Sequence, residues 1–172
     1  MQVLFICQAN QCRSALAEGF ARKLAGERSP LEPVAFRSCG LMAIAGRGAL
    51  PQAVRAAAAY GVDLASHEAT PFGLDLADWA DYLVAMTRAQ KRELLMFAPM
   101  LRPRAYTLAE FAQETTGRRP AWRDVADPVG RTDAHFRRCA LRIHDALVPV
   151  MDALSGIEAP RPGILECLLR PR

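Results

Sequence analysis

The sequence is poor in lysine. Lys23 and Lys91 are the only two, so the rest of its 22 basic residues are arginine. These arginines are scattered rather than blocked, and against 18 acidic residues they leave a net charge of only +4. A basic stripe of the kind that grips nucleic acid is therefore not expected, although a mildly positive field suits a phosphorylated protein as partner. No apolar run approaches the roughly 20 residues that cross a bilayer. The first residues also lack the basic start and small-residue cleavage site of a secretory signal. The expectation is a cytoplasmic protein with no membrane partner. The five cysteines are odd in number and lack metal-ligand spacing, which argues against a disulfide framework and against a metal site. Neither metal nor cofactor is expected. Repeats and internal boundaries are absent as well. With 172 residues, 51% of them hydrophobic, the chain suits one domain with a real core. Residues 1–155 are assigned to that domain and 156–172 to a C-terminal tail. The tail carries Pro160, Pro162 and Pro171, with Ile164, Leu165, Leu168 and Leu169 available to dock on the domain or on a partner. The oligomeric state is open.

What is present is concentrated in the first twenty residues. Val3-Leu4-Phe5-Ile6 is a short continuous apolar run, the pattern of a strand buried on both faces. From Ser14 onward Leu16, Phe20 and Leu24 recur at four-residue spacing, with Ala17 and Ala21 beside them, which predicts a helix. Between the two lies Cys7-Gln8-Ala9-Asn10-Gln11-Cys12-Arg13-Ser14. A loop that enters a helix from a strand turns its backbone N–H groups toward the helix N-terminus and cradles a tetrahedral dianion. A cysteine thiol, ordinarily near pKa ~8.5, can fall to about 3.5–7.5 in such a place beside a cation, and the thiolate is a nucleophile. Arg13 supplies the cation, and its planar fork holds two phosphate oxygens at once. Ser14 can donate a hydroxyl hydrogen to the thiolate, which favours the charged form.

The segment from Cys7 to Ser14 closely resembles the phosphate-binding loop of the low-molecular-weight protein tyrosine phosphatases, Cys-x-Gly-Asn-x-Cys-Arg-Ser. The resemblance implies a hydrolase that passes the phosphoryl group through a phosphocysteine on Cys7. Arg13 and the loop from Gln8 through Ala9, Asn10, Gln11 and Cys12 to Ser14 would hold phosphate, and phosphate or similar oxyanions would inhibit. It further implies that Ser38, in Ser38-Cys39-Gly40, hydrogen-bonds Asn10 and fixes the loop, and that Cys7 and Cys12 can form a reversible disulfide. In that family an Asp-Pro aspartate protonates the leaving group. Asp127 is the one aspartate here that precedes a proline, in Trp122-Arg123-Asp124-Val125-Ala126-Asp127-Pro128-Val129-Gly130.

The rest of the chain alternates strands with helices. Pro33 to Arg37, Tyr82 to Met86 and Arg104 to Thr107 read as strands. Helices are expected from Pro51 until Gly61, after Thr87 with a Gln90 capping box, briefly over Leu108 to Phe111, and from Thr132 to the end of the domain. Leu94, Leu95 and Phe97 would face inward, as would Phe136, Ala140, Ile143, Leu147, Met151 and Leu154. The expected fold is α/β, a three-layer doubly wound sheet of four parallel strands, with ligands at the carboxyl ends of the strands, where Cys7 falls. His67 reads more naturally as a packing histidine than as a general base. Leu41, Met42 and Ile44 read equally as a wall for substrate or as cover for the core.

Three residues depart from the family pattern. Ala9 replaces a glycine, a harmless change if its φ is negative and a costly one if it is positive. Gln11 replaces an apolar residue, and Val129-Gly130 replaces the tyrosine that follows Asp-Pro and stacks on phosphotyrosine. The bacterial protein-arginine phosphatases resemble this chain at the last two places, so phosphoarginine stands beside phosphotyrosine as substrate. Two alternatives differ in kind. One is a phosphate- or phosphoprotein-binding regulator that has lost turnover. The other is an arsenate reductase, which needs two further cysteines that Asp81 to Arg92 does not contain.

Overall fold

The computed structural model describes residues 1–31, 33–118 and 120–156. The tail expected over 156–172, with its four apolar residues, lies outside them from 157 onward. Four strands, β1 (Gln2–Cys7), β2 (Ala35–Gly40), β3 (Tyr82–Ala85) and β4 (Ala105–Thr107), form one parallel sheet in the order β2-β1-β3-β4. Helices are α1 (Arg13–Arg28), α2 (Pro51–Ala58), α3 (Leu74–Trp79), α4 (Arg88–Phe97), α5 (Leu108–Thr116) and α6 (Asp133–Leu154). A 3-10 turn, Pro99–Arg104, leads into β4. This is the expected three-layer, four-stranded α/β fold. None of the described helices is long and apolar enough to cross a membrane.

The two-residue period of β1 sorts its side chains between the layers. Val3, Phe5 and Cys7 join one core with α1, α2, α5 and α6, whereas Leu4 and Ile6 join the other with α3 and α4. Cys7 therefore points toward α1. The chain leaves β1 for α1 and β2 on one side, and β3 pairs on the other, so the carboxyl end of β1 is the topological switch point where such sheets bind ligands.

Several boundaries moved. The second strand starts two residues later than expected and runs on through Ser38, Cys39 and Gly40, because the ladder pairs Gln2 with Ala35 and Cys7 with Gly40. Ser-Cys-Gly reads as a strand end in sequence, but pairing with β1 carries the strand through it. Helix α3 was not anticipated; it has six residues and only Ala77 fully buried, too little for a periodic stripe. Helix α5 continues to Thr116, started by a complete capping box in which Thr107 Oγ1 accepts from Glu110 N and the Glu110 carboxylate accepts from Thr107 N. The box expected at Thr87 is half formed. Thr87 accepts from Gln90 N at 3.1 Å, but the buried Gln90 Oε1 has no partner among the described residues. Phe97 is 70% exposed rather than inward, its ring set edge-on against Phe72. The α6 stripe from Phe136 to Leu154 is buried as its spacing predicts.

Candidate active site

The loop between β1 and α1 closes around Cys7. Its Sγ lies 3.0 Å from Ser14 Oγ and accepts a hydrogen bond from Asn10 N at 3.3 Å. The first turn of α1 carries no acidic residue, and the N-cap residue Cys12 makes no side-chain cap. The amides there and the positive end of the helix dipole are left for an anion.

Asn10 is the hub of the loop. Its φ of 54° puts it in the left-handed region, which asparagine tolerates better than most residues. Ala9 is not among the residues with positive φ, so its Cβ brings no backbone strain. Asn10 Nδ2 donates to Ser14 Oγ and Ser38 Oγ, both at 2.8 Å, and Oδ1 accepts from Thr70 N at 2.8 Å. His67 Nε2 lies 2.6 Å from the Asn10 carbonyl, which can only accept, so the ring donates there and serves to hold the loop. The anchor from Thr70 is a backbone one and does not depend on its side chain. The expected Asn10–Ser38 contact is present; the contributions of Thr70 and His67 come from 60 and 57 residues away and have no local spacing that would reveal them.

The segment after β2 is bound to the same loop. Leu41 N donates to Cys7 O, Met42 N to Gln8 O and Leu50 N to Gln11 O, while Gln11 Nε2 donates to Gly48 O at 2.9 Å. Gly40 has to be glycine here: a Cβ would stand 2.7 Å from Gln8 O and 2.8 Å from Asn10 N, both backbone atoms. Leu41 packs on the core, whereas Met42 and Ile44 are exposed.

Arg13 is buried, and its guanidinium donates to Val125 O and forms an ion pair with Asp127. The tertiary fold thus brings Asp127, 114 residues away, to the loop. A bidentate pair between Arg88 and Asp124 ties this second loop to the start of α4, and Asp124 also accepts from Arg88 N at 2.7 Å. These bonds hold the Asp124 carboxyl below the usual aspartate range. The Cys12 thiol is pushed up by its hydrogen bond with Cys139 of α6 and by burial, and Cys39 is pushed up by burial first. Cys7, Cys12, Cys39 and Cys139 are all free thiols.

With this loop and the Asp-Pro carboxylate brought to it, the chain matches the family model for low molecular weight phosphotyrosine protein phosphatase over residues 2–157. The chain belongs to that family. It is a protein phosphatase, a hydrolase, and the family's chemistry is cysteine-based. It is 30% identical over 154 residues to a protein-arginine-phosphatase of Geobacillus stearothermophilus, covering 90% of this chain and 93% of that one. Over 162 residues it is 29% identical to the probable low molecular weight protein-tyrosine-phosphatase EpsP of Ralstonia solanacearum, covering 94% of each. Among solved structures, a YwlE mutant from Bacillus subtilis superposes with a TM-score of 0.79 at 27% identity, covering 90% of this chain and 98% of that one. Members of this phosphatase family are thus similar to the chain over nearly its whole described length.

Proposed function

We propose that this phosphatase removes the phosphoryl group from phosphoarginine in proteins, through a phosphocysteine on Cys7. The observation that carries the substrate choice is Gln11. Its amide nitrogen is committed to Gly48 O, and its Oε1 takes no hydrogen bond among the described residues. A carbonyl oxygen accepts from a guanidinium N–H and has nothing comparable to offer a phenyl ring. Val129, 56% exposed, stands where a ring would otherwise stack beside the Asp-Pro turn. The similarity to a protein-arginine-phosphatase supports the same reading.

In this reading the Cys7 thiolate attacks phosphorus in line as the P–N bond breaks. Arg13 and the amides from Gln8 to Arg13 hold the equatorial oxygens. An incoming phosphoryl group that takes Arg13 releases Asp127, which takes up a proton from solvent and delivers it to the departing nitrogen. Asp127 then takes one from the water that cleaves the S–P bond, and phosphate leaves. Ser14 donates its hydroxyl hydrogen to the thiolate when Cys7 is expelled. The absence of strain at Ala9 supports turnover rather than a binding-only regulator. Residues 1–155 serve as the catalytic domain, and four free thiols suit a reducing, cytoplasmic setting.

Phosphotyrosine is the second reading, favoured by the exposed Met42 and Ile44 on the segment bound to the loop. Steady-state kinetics on matched phosphoarginine and phosphotyrosine peptides, with wild-type and Gln11→Ile protein, decide between them. The wild type should prefer phosphoarginine, and Gln11→Ile should move the preference toward phosphotyrosine. A wild-type preference for phosphotyrosine that survives Gln11→Ile would overturn the assignment.

A further inference from the structure

Glu18 lies on the second turn of α1, and neither the loop motif nor the Asp-Pro element gives it a role. Its carboxylate nevertheless ends an unbroken chain of hydrogen bonds that begins at the nucleophile. Ser38 Oγ donates to Glu18 Oε2 at 2.5 Å and accepts from Asn10 Nδ2; Asn10 Nδ2 also donates to Ser14 Oγ, which lies 3.0 Å from Cys7 Sγ. We propose that Glu18 is a positioning residue for the nucleophile, holding the Ser38 hydroxyl on which the Asn10 amide, and through it Ser14, is seated beside Cys7. The proposal rests on Cys7 being the nucleophile and deepens that reading.

The argument is a count of hydrogens. Ser38 has one hydroxyl hydrogen, and Glu18 takes it, so only lone pairs face Asn10. The two hydrogens of the Asn10 amide are then both spent, one on Ser38 and one on Ser14. Ser14 receives a hydrogen and must send its own elsewhere. Its two acceptors are the Cys39 carbonyl at 3.2 Å and Cys7 Sγ at 3.0 Å. When Cys7 is a thiolate, the hydrogen turns to sulfur; when Cys7 is a thiol, the S–H donates to Ser14 and the serine hydrogen turns to Cys39. Without an acceptor at Glu18 the Ser38 hydroxyl is free to rotate; the Asn10 amide, still pinned by Thr70 N and still a donor, loses its fixed seat on Ser38, and Ser14 is held less firmly toward the sulfur.

Through-space charge predicts the opposite sign. Glu18 is paired with Arg22 at 2.5 Å, and Arg37, Asp63, Glu68 and His67 line the same polar cavity behind the loop. On the sulfur side, Arg13 stands in the same loop with Asp127 paired to it, and the Cys12 and Cys39 thiols are the other titratable groups near Cys7. Removing an anion would make the thiolate easier to form, whereas losing the oriented donor makes it harder.

The test follows the rate of Cys7 alkylation by iodoacetamide against pH, corrected with Cys7→Ser protein, together with the pH profile of kcat/KM on p-nitrophenyl phosphate. Glu18→Ala should move the alkylation midpoint up by about one pH unit, and should lower kcat/KM on the acid side about tenfold with KM little changed. Glu18→Gln keeps an acceptor and should stay within about threefold of wild type. Arg22→Ala removes the ion pair but not the acceptor and should keep the wild-type midpoint. The double variant Glu18→Ala/Ser38→Ala should be no worse than Ser38→Ala alone, because both cut one chain. A midpoint that stays or moves down in Glu18→Ala, a Glu18→Gln as impaired as the alanine variant, or additive losses would overturn the proposal. Should Glu18→Ala fail to fold in a thermal melt, Ser38→Ala against Glu18→Gln gives the same decision. Alkylation needs no turnover, so a wild type without hydrolytic activity would sink the functional reading while the midpoints still decide the role of Glu18.

Discussion

Asp127 holds Arg13. The carboxylate proposed to protonate the leaving group is ion-paired with the guanidinium proposed to bind the phosphoryl oxygens, so an arriving oxyanion has to separate them. Asp127 is half-exposed, which keeps the cost modest, about 1 kcal/mol. Asp127→Asn should therefore tighten inhibition by inorganic phosphate or vanadate about fivefold while slowing turnover. The inhibition constant at neutral pH is the measurement, and a weaker Ki in the variant would show that the pair does not compete with the anion.

The role of Asp127 as acid is separable from that pairing. Asp127→Ala should slow aryl phosphates with poor leaving groups far more than those with good ones, read as a steeper dependence of kcat on leaving-group pKa. Equal losses across the series would remove Asp127 from proton transfer.

Cys7→Ser should lower kcat by at least about four orders of magnitude and leave phosphate binding intact by calorimetry. Rapid quench with labelled substrate should find label on the wild-type chain. Hydrolysis retained by the serine variant contradicts the nucleophile assignment.

Gly40→Ala tests the packing of β2 against the loop. The new Cβ would meet backbone atoms of Gln8, Ala9 and Asn10 at 2.7 to 2.9 Å, and none of these can rotate away. Overpacking of this kind costs about 1–3 kcal/mol, so Tm should fall by roughly 3–10 °C. Vanadate affinity should fall with it, because the loop that moves is the one that holds the anion. Unchanged affinity and Tm would mean that the strand yields instead.

The Arg88–Asp124 pair gives a pH dependence of known sign. A carboxyl held below its ordinary value of 3.8 contributes stability above that pH and loses it as pH falls through the lowered value. Asp124→Asn should therefore be less stable than wild type at pH 7, and the gap should close in acid below about pH 4. Chemical denaturation at pH 7 and at pH 3 measures it. A gap that persists in acid would mean that Asp124 acts by shape rather than charge.

The sequence by itself determined the loop and its approach. An apolar run, a phosphate-cradling octapeptide and a helical stripe are local patterns, and β1 and α1 follow them because local burial period and backbone preference agree there. The Asp-Pro turn was legible for the same reason. The capping box at Thr107 and Glu110 is equally local, and it starts an α5 that runs beyond the expected Phe111 to Thr116. What tertiary structure alone decided is who reaches the loop. Ser38 stands in a ladder register that only pairing with β1 sets, Thr70 and His67 arrive on a loop without periodicity, and Asp127 crosses more than a hundred residues. Glu18 sits in plain view on α1, but its meaning depends on which hydroxyl β2 places beside it. Such contacts join residues far apart in the chain, and a hydrogen bond between them leaves no spacing in the sequence that could announce it.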